Sequence, residues 1–374
     1  MSTGVTLPTG RHYSNHATGA AYIRCCELEQ HVSGEIDSGQ LSEKTKKEKL
    51  RDLMHVRVAG YLIIHAPREE AREYMAASIN ACRDDSEIIE LGKFHEQHFL
   101  RLFRRFCDYT PHQSEPDSEL PSFSNLRELI QSKSIPAPRT QSEAKESALA
   151  RDGFCCIVSG TMDAQTYIKY RNVFSEPKSF PSVDLTQCCH IIPEGVGRFS
   201  TKTVADKRAR ASNVWMILNN FGYHQIEEAL GESKIHLLAN ISTLRGLLHE
   251  FFDTMYLWLE PTVGFAEFVH AHESRPFKSS NQSNDNEYQA CVPPDIPEYA
   301  DIIFEIHKVP RIVKFTTTES RLILPSREYL ALHAACCKVA HMSGAAGFYD
   351  QLERDYDKYP FNFMSSETDS HLLD

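Results

Sequence analysis

The sequence predicts an α+β protein: an all-α N-terminal region, a small mixed core, and a C-terminal extension of strands and a closing helix. Three observations point there. Apolar residues recur at helical spacing through 42–109, cysteine, histidine, glycine and aromatic residues cluster in 148–262, and strand-like runs precede a final helical stretch. The chain of 374 residues exceeds one typical domain, so a central module with substantial flanking structure is expected.

In order, Leu50, Leu53, Met54, Val58 and Leu62 mark a helix that Pro67 stops. A second helix is expected over 69–83. A third covers 86–106, with Ile88, Ile89, Leu91, Phe94, Phe99, Leu102 and Phe103 on its apolar face. This helical region, 1–110, suits docking or a homodimer contact. Residues 111–147, rich in Pro and Ser, read as a linker with a short helix near 124–131. The core module spans 148–262, a second polar linker 263–300, and the C-terminal extension 301–360. That extension opens on "DIIFEIHKV" and "RIVKFTTT", read as strands, and closes on one helix from Pro325 to about Tyr356. Residues 361–374 read as a disordered acidic tail.

The net charge of −11 argues against a protein that coats nucleic acid nonspecifically. Local basic runs at 44–49, 101–105 and 202–210 could still touch phosphates, though such runs more often form a solvated helix face. No apolar run reaches the ~18 residues of a membrane span, and residues 1–15 lack the apolar stretch of a secretory signal. A nuclear or cytoplasmic, non-secreted protein is expected. Cys25/Cys26, Cys155/Cys156, Cys188/Cys189 and Cys336/Cys337 are adjacent pairs without any C-x-x-C, a pattern of buried free thiols rather than of disulfides or a zinc ribbon.

Chemistry concentrates in "LLHEFFDTMYLWLE", 247–260. Placed on a helix, Leu248, Phe251, Phe252, Met255, Trp258 and Leu259 share an arc of about 120°. His249 and Asp253 lie one turn apart at its edge, where an imidazole and a carboxylate can reach one divalent cation. Upstream, "CCHIIPEGVG" (188–197) reads as a short strand ending at Pro193 with His190 on it. Asn240 stands nine residues before His249. Taken singly, His190 is more often a core histidine and Asn240 a turn residue.

In combination these segments resemble a known family. "RDGFCCIVSG" (151–160), "HIIP" (190–193), "ANISTL" (239–244) and "LHEFFD" (248–253) look like the fungal branch of the HNH, or ββα-metal, endonuclease domain. "WMILNNFGYHQIEEALG" (215–231), "WLEP" (258–261) and "YLALHAACCKVAHMSGAAGFYDQL" (329–352) resemble further parts of the same proteins. The resemblance covers about 148–352, and nothing before 148.

The resemblance implies a β-hairpin and a helix packed over one divalent metal ion (Mg²⁺, Mn²⁺, Ni²⁺ or Zn²⁺). His190 would be the general base and Asn240 would fix its geometry. His249 and Asp253 would be metal ligands, joined by Cys189, which stands where many relatives carry Asp or His. The implied activity is hydrolysis of phosphodiester bonds in nucleic acid, with DNA favoured over RNA. A neutral imidazole can take a proton from water, while a cation at the phosphate stabilises the developing charge. The hairpin reads Cys156-x-x-Ser159, so no structural zinc is expected. His236 could assist the site, with a surface position the favoured reading, and Lys169, Arg171 and Lys178 could touch a nucleic acid backbone. Two other readings stand beside this one. The chain could be a non-catalytic HNH-fold scaffold acting through protein partners, or an enzyme using Cys155 or Cys189 with His190.

Overall fold

In the computed structural model the chain is described at residues 4–39, 41–104, 138, 140–169, 182–193, 204–230, 232–262, 286–318 and 321–358. It is a mixed helix-and-sheet fold, mostly helical, with small sheets, so the α+β expectation stands. Among the described residues no helix is long and apolar enough to cross a membrane.

The N-terminal helices are α1 (His16–Asp37), α2 (Glu43–Ile64), α3 (Glu69–Ala81) and α4 (Asp85–His95). The last continues through a π-helical turn, Glu96–Leu100, and a final turn, Arg101–Phe103. Polar side chains start three of them: Asn15 accepts from the Ala17 and Thr18 amides, Ser42 from Thr45, and Asp84 from Glu87. Helices α2 and α4 cross so closely at Gly92 that an added Cβ would meet the His55 carbonyl oxygen at 2.0 Å. α1 begins within a stretch that carried no helix in the sequence reading; its apolar residues are spread among Glu and Cys and give little amphipathic signal.

Helix α5 (Gln141–Arg151), capped by Thr140, begins inside the stretch read as linker. Residues 105–137, with the helix expected near 124–131, lie outside the described residues, as do Arg105, Arg171, Lys178 and Lys202. Next come β1 (Met162–Asp163), α6 (Ala164–Lys169), β2 (Val183–Asp184) and β3 (Thr186–His190). Helices α7 (Val204–Asn220) and α8 (Ile226–Leu230) and two 3-10 turns, Glu232–His236 and Leu238–Asn240, lead to β4 (Ile241–Arg245) and α9 (Gly246–Asp253). β1 pairs with β2 in parallel, and β3 with β4 antiparallel, setting Cys189 opposite Ser242 and His190 opposite Ile241.

A three-stranded antiparallel sheet follows, from β5 (Trp258–Pro261), β6 (Glu287–Cys291) and β7 (Ile312–Lys314). Three expectations are corrected here. The helix drawn over 247–260 ends at Asp253, because Met255 turns into the left-handed region (φ 65°) and Trp258 and Leu259 enter β5. The second linker contains β6, whose alternation buries Tyr288 and Ala290 on one face. "DIIFEI" is helical: α10 (Pro297–Ala300), with Pro at its start, runs on into a π-helical turn, Asp301–Ile306, that buries Ile303 and Phe304.

The single closing helix is two, α11 (Arg327–Ser343) and α12 (Ala345–Lys358), broken at Gly344 (φ 90°). One core joins Val58 and Ile63 of α2, Phe221 just past α7, Leu248 of α9, Trp258 of β5, and Leu330 and Val339 of α11. The N-terminal helices therefore spend apolar surface inside the chain, against α11. The described tail ends at 358, so the acidic stretch 361–374 lies outside the described residues.

Two charged or titratable sets in this interior lead to predictions. Burial holds His55 and His65 at about 3 and His95 and His333 at about 4, against an ordinary 6.5, so all are neutral in the folded chain. Below 6.5 the unfolded chain binds protons that the folded chain refuses, so stability is full above 6.5 and declines as pH falls toward 4. The thermal midpoint should fall by about 5 °C or more between pH 7 and pH 5 in a melting series; a flat profile would show that these rings titrate normally. The second set centres on Arg151, which is fully buried and bonded to Asp152 and three carbonyls. Arg151→Met should cost about 3–5 kcal/mol in urea unfolding, since it strands the Asp152 carboxylate.

Candidate metal centre

The site is assembled at the end of β3 by α9 and by the 3-10 turns before β4. Arg151 sets the frame. Its guanidinium makes a forked pair with Asp152 (2.6 and 2.8 Å) and donates to the carbonyls of Leu238 (2.8 Å), Ile241 (2.9 Å) and Ile323 (3.2 Å). Asp152 also accepts from the Thr243 amide at 3.3 Å. The start of β4 is thereby held on both sides of Asn240.

Asn240 is fully buried and fully bonded. Its Oδ1 accepts from the Ile192 amide (2.8 Å), and its Nδ2 donates to the carbonyls of Ile192 and Ile235, both at 3.0 Å. It therefore ties the backbone just after His190 to the backbone just before His236. These side-chain bonds all go to backbone groups, and none goes to the His190 ring. The two rings meet: His190 Nε2 and His236 Nδ1 are 3.1 Å apart, with the rings tilted at 58°. His236 is half-buried and touches the His190 ring, the less favoured of the two places the sequence offered for it. Asn240's grip on Ile235 is what carries it inward.

Burial, reinforced by His236 and His249 and opposed by Asp253, pushes the His190 imidazole down to about 3. The ring is neutral at physiological pH.

Strand alternation sends Cys188 and Cys189 to opposite faces of the β3–β4 pair. Cys188 packs with Ala144 and Ala148 of α5, whereas Cys189 joins the core with Leu248 and Phe252 of α9. On the α9 side Cys189, His249 and Asp253 each offer one donor atom, all within 4.8 Å of one another. His249 Nε2 is 3.2 Å from Asp253 Oδ2, and Cys189 Sγ is 3.9 Å from Asp253 Oδ1. His249 Nδ1 is 2.6 Å from Gln187 Oε1, an acceptor only, so Nδ1 carries the proton and donates. In the neutral ring Nε2 then presents its lone pair toward the Asp253 carboxylate, an arrangement that needs a proton or a cation between them. A thiol, an imidazole nitrogen and a carboxylate so disposed fit a divalent cation.

Remote residues hold α9 in place. Three carbonyls of its exit turn are captured by remote side chains: Phe252 by His333 Nε2 (3.2 Å), Thr254 by Arg104, and Met255 by His341 Nε2 (2.8 Å). His333 also stacks on Phe252 at 3.8 Å. His333 and His341 are buried in the core and donate to this turn. Arg104 is simultaneously paired with Asp350 and Glu353 of α12, and Arg101 with Glu96. These two arginines are internal ties, so the basic run at 101–105 does not present them to phosphates.

Two other expectations meet the geometry. Burial raises the Cys155 thiol to about 11, and Cys189 lies beside the Asp253 carboxylate; neither is the electropositive setting a nucleophilic thiolate needs. Sequence reasoning missed Gln187, although it stands two residues from Cys189 on the same strand face, a period-two signal.

Comparison with protein-family models, with curated proteins and with solved structures returns no match.

The Asn240 anchor is open to test. Asn240→Asp turns two donated hydrogen bonds into oxygen–oxygen repulsion and should cost about 2–4 kcal/mol in chemical unfolding. A cost near zero would mean the Ile192 and Ile235 carbonyls are satisfied some other way.

Proposed function

We propose that this chain is a metal-dependent endonuclease of the HNH type, hydrolysing phosphodiester bonds in nucleic acid, with DNA preferred. The reading takes β3, β4 and α9 as a ββα-metal core. The observation that carries it is the gathering of Cys189, His249 and Asp253 donors within 4.8 Å, on the residue next to His190 and on the helix that follows the paired strands. Cys189, His249 and Asp253 would hold a divalent cation, which when bound supplies stabilisation of negative charge at a scissile phosphate.

The chain's own residues supply the rest. His190, neutral and held by the Asn240 anchor, accepts a proton from the attacking water as the new P–O bond forms and the bond to the leaving 3′ oxygen breaks. An anionic phosphodiester beside the ring would raise its affinity for that proton, since burial and neighbouring imidazoles now depress it. His236, in contact with Nε2, restrains the ring's orientation and offers a partner for the proton.

A second reading, a non-catalytic protein that keeps this arrangement for contacts with protein partners, draws on the acidic net charge and on Arg101 and Arg104 being spent on internal ion pairs. The two readings part in one assay. Purified full chain should nick supercoiled plasmid only with a divalent metal, and His190→Ala should reduce the rate by about 10²-fold or more. No cleavage with Mg²⁺, Mn²⁺, Ni²⁺ or Zn²⁺ would decide for the non-catalytic reading.

A further inference from the structure

We propose that the Cys189/His249/Asp253 centre is selective for a borderline-soft, zinc-class cation over magnesium, with Gln187 as the outer carboxamide that sets its imidazole ligand. This rests on the reading that these three side chains hold the cation, and it adds which class of cation they take and why.

The first argument is donor chemistry. Magnesium binds oxygen ligands in near-octahedral array and keeps several waters. Here one donor of three is sulfur and one is nitrogen, leaving a single carboxylate. Zinc takes Cys sulfur, His nitrogen and Asp oxygen together, with three protein ligands leaving a position open. The sulfur is also fully buried, among Leu248 and Phe252, where a thiolate without a cation would be costly.

The second argument is spacing. Bonds of about 2.0 Å to nitrogen and oxygen and about 2.3 Å to sulfur, set tetrahedrally, need ligand separations of roughly 3.3 Å for N···O and 3.5 Å for S···O. The chain holds 3.2 Å between His249 Nε2 and Asp253 Oδ2, and 3.9 Å between Cys189 Sγ and Asp253 Oδ1. These two distances run to different oxygens of the one carboxylate and the three donor atoms lie within 4.8 Å of one another, so closing on such an ion takes side-chain shifts of up to about an ångström.

The third argument is the tautomer. The Gln187 Oε1 contact at 2.6 Å keeps the His249 proton on Nδ1 and leaves Nε2 as the donor atom, the role outer partners play for metal-bound histidines. Gln187 and Cys189 occupy the same face of β3, so a single strand supplies both a ligand and the support of the next ligand. The alternative occupant of the His249–Asp253 gap is a proton, giving an ordinary ion pair.

Cobalt(II) serves as the probe. Reduced full-length chain, stripped with a chelator, is titrated with Co²⁺ and followed by absorption. The expected result is one bound equivalent with visible bands of tetrahedral intensity and a near-ultraviolet thiolate-to-cobalt charge-transfer band, displaced by Zn²⁺ but not by a large excess of Mg²⁺. Cys189→Ser should abolish the charge-transfer band. Gln187→Leu, at an exposed strand position, should keep the band and weaken Co²⁺ affinity about 10–100-fold. If Cys189→Ser unfolds, loss of affinity in Gln187→Leu with the band intact carries the same conclusion. A charge-transfer band that survives Cys189→Ser, cobalt bound without such a band, displacement by Mg²⁺, or no binding at all (the protonated His249–Asp253 pair) would overturn the proposal. The same samples are assayed for plasmid cleavage. The band without cleavage leaves the zinc-class centre and removes the nuclease; Mg²⁺-driven cleavage without the band does the reverse.

Discussion

A guanidinium with no exposed surface is costly unless every donor has a partner, and Arg151 meets that condition by reaching four places at once. Asp152 neutralises it, and the carbonyls of Leu238, Ile241 and Ile323 take its remaining donors. Because Leu238 and Ile241 flank Asn240, the arginine decides where that amide sits. Asn240 in turn decides where the chain leaves β3 and where it arrives at His236. The contact between the two imidazoles is the last link of a chain of backbone hydrogen bonds that begins at a buried ion pair.

Helix α9 is held from the other direction. Eight residues make a helix of barely two turns, too short to persist by its own backbone bonds. Its exit turn is instead gripped by Arg104 from the end of the N-terminal helices and by His333 and His341 from α11. Both histidines are buried and neutral, so each can donate one proton to a carbonyl without bringing a charge into the core. The flanking helices thus act on the donor cluster through the position of Asp253. The same dependence links acid lability of the core to the geometry of the centre.

The donor set was legible in the sequence where local periodicity carries it. His249 and Asp253 fall one turn apart on any helix, and Cys189 and His190 are neighbours on any strand. The extent of α9 was not legible, because Met255, Trp258 and Leu259 continue the helical spacing of apolar residues; only the left-handed turn at Met255 and the pairing of Trp258 with Cys291 end it. For His236 the sequence favoured a surface position over a place at the site, because nothing in its neighbours says that Asn240 will bond the Ile235 carbonyl. Gln187 carried a period-two relation to Cys189, but a glutamine on an exposed strand position has no signal of its own.

By itself, then, the sequence determined the mixed fold class, the helices α2 to α4, the strand bearing His190 and the helical pair His249 and Asp253, all of which follow from spacing within a few residues. Tertiary structure alone decided that β3 would meet β4 across some fifty residues of intervening chain, in a register that sets Cys189 over α9. It also decided that Arg104, Arg151, His333 and His341 would serve as internal donors rather than as surface charges or ligands. The physical reason is that a buried donor is placed by whichever carbonyl the folded chain leaves unpaired, and that choice is made between segments far apart in sequence.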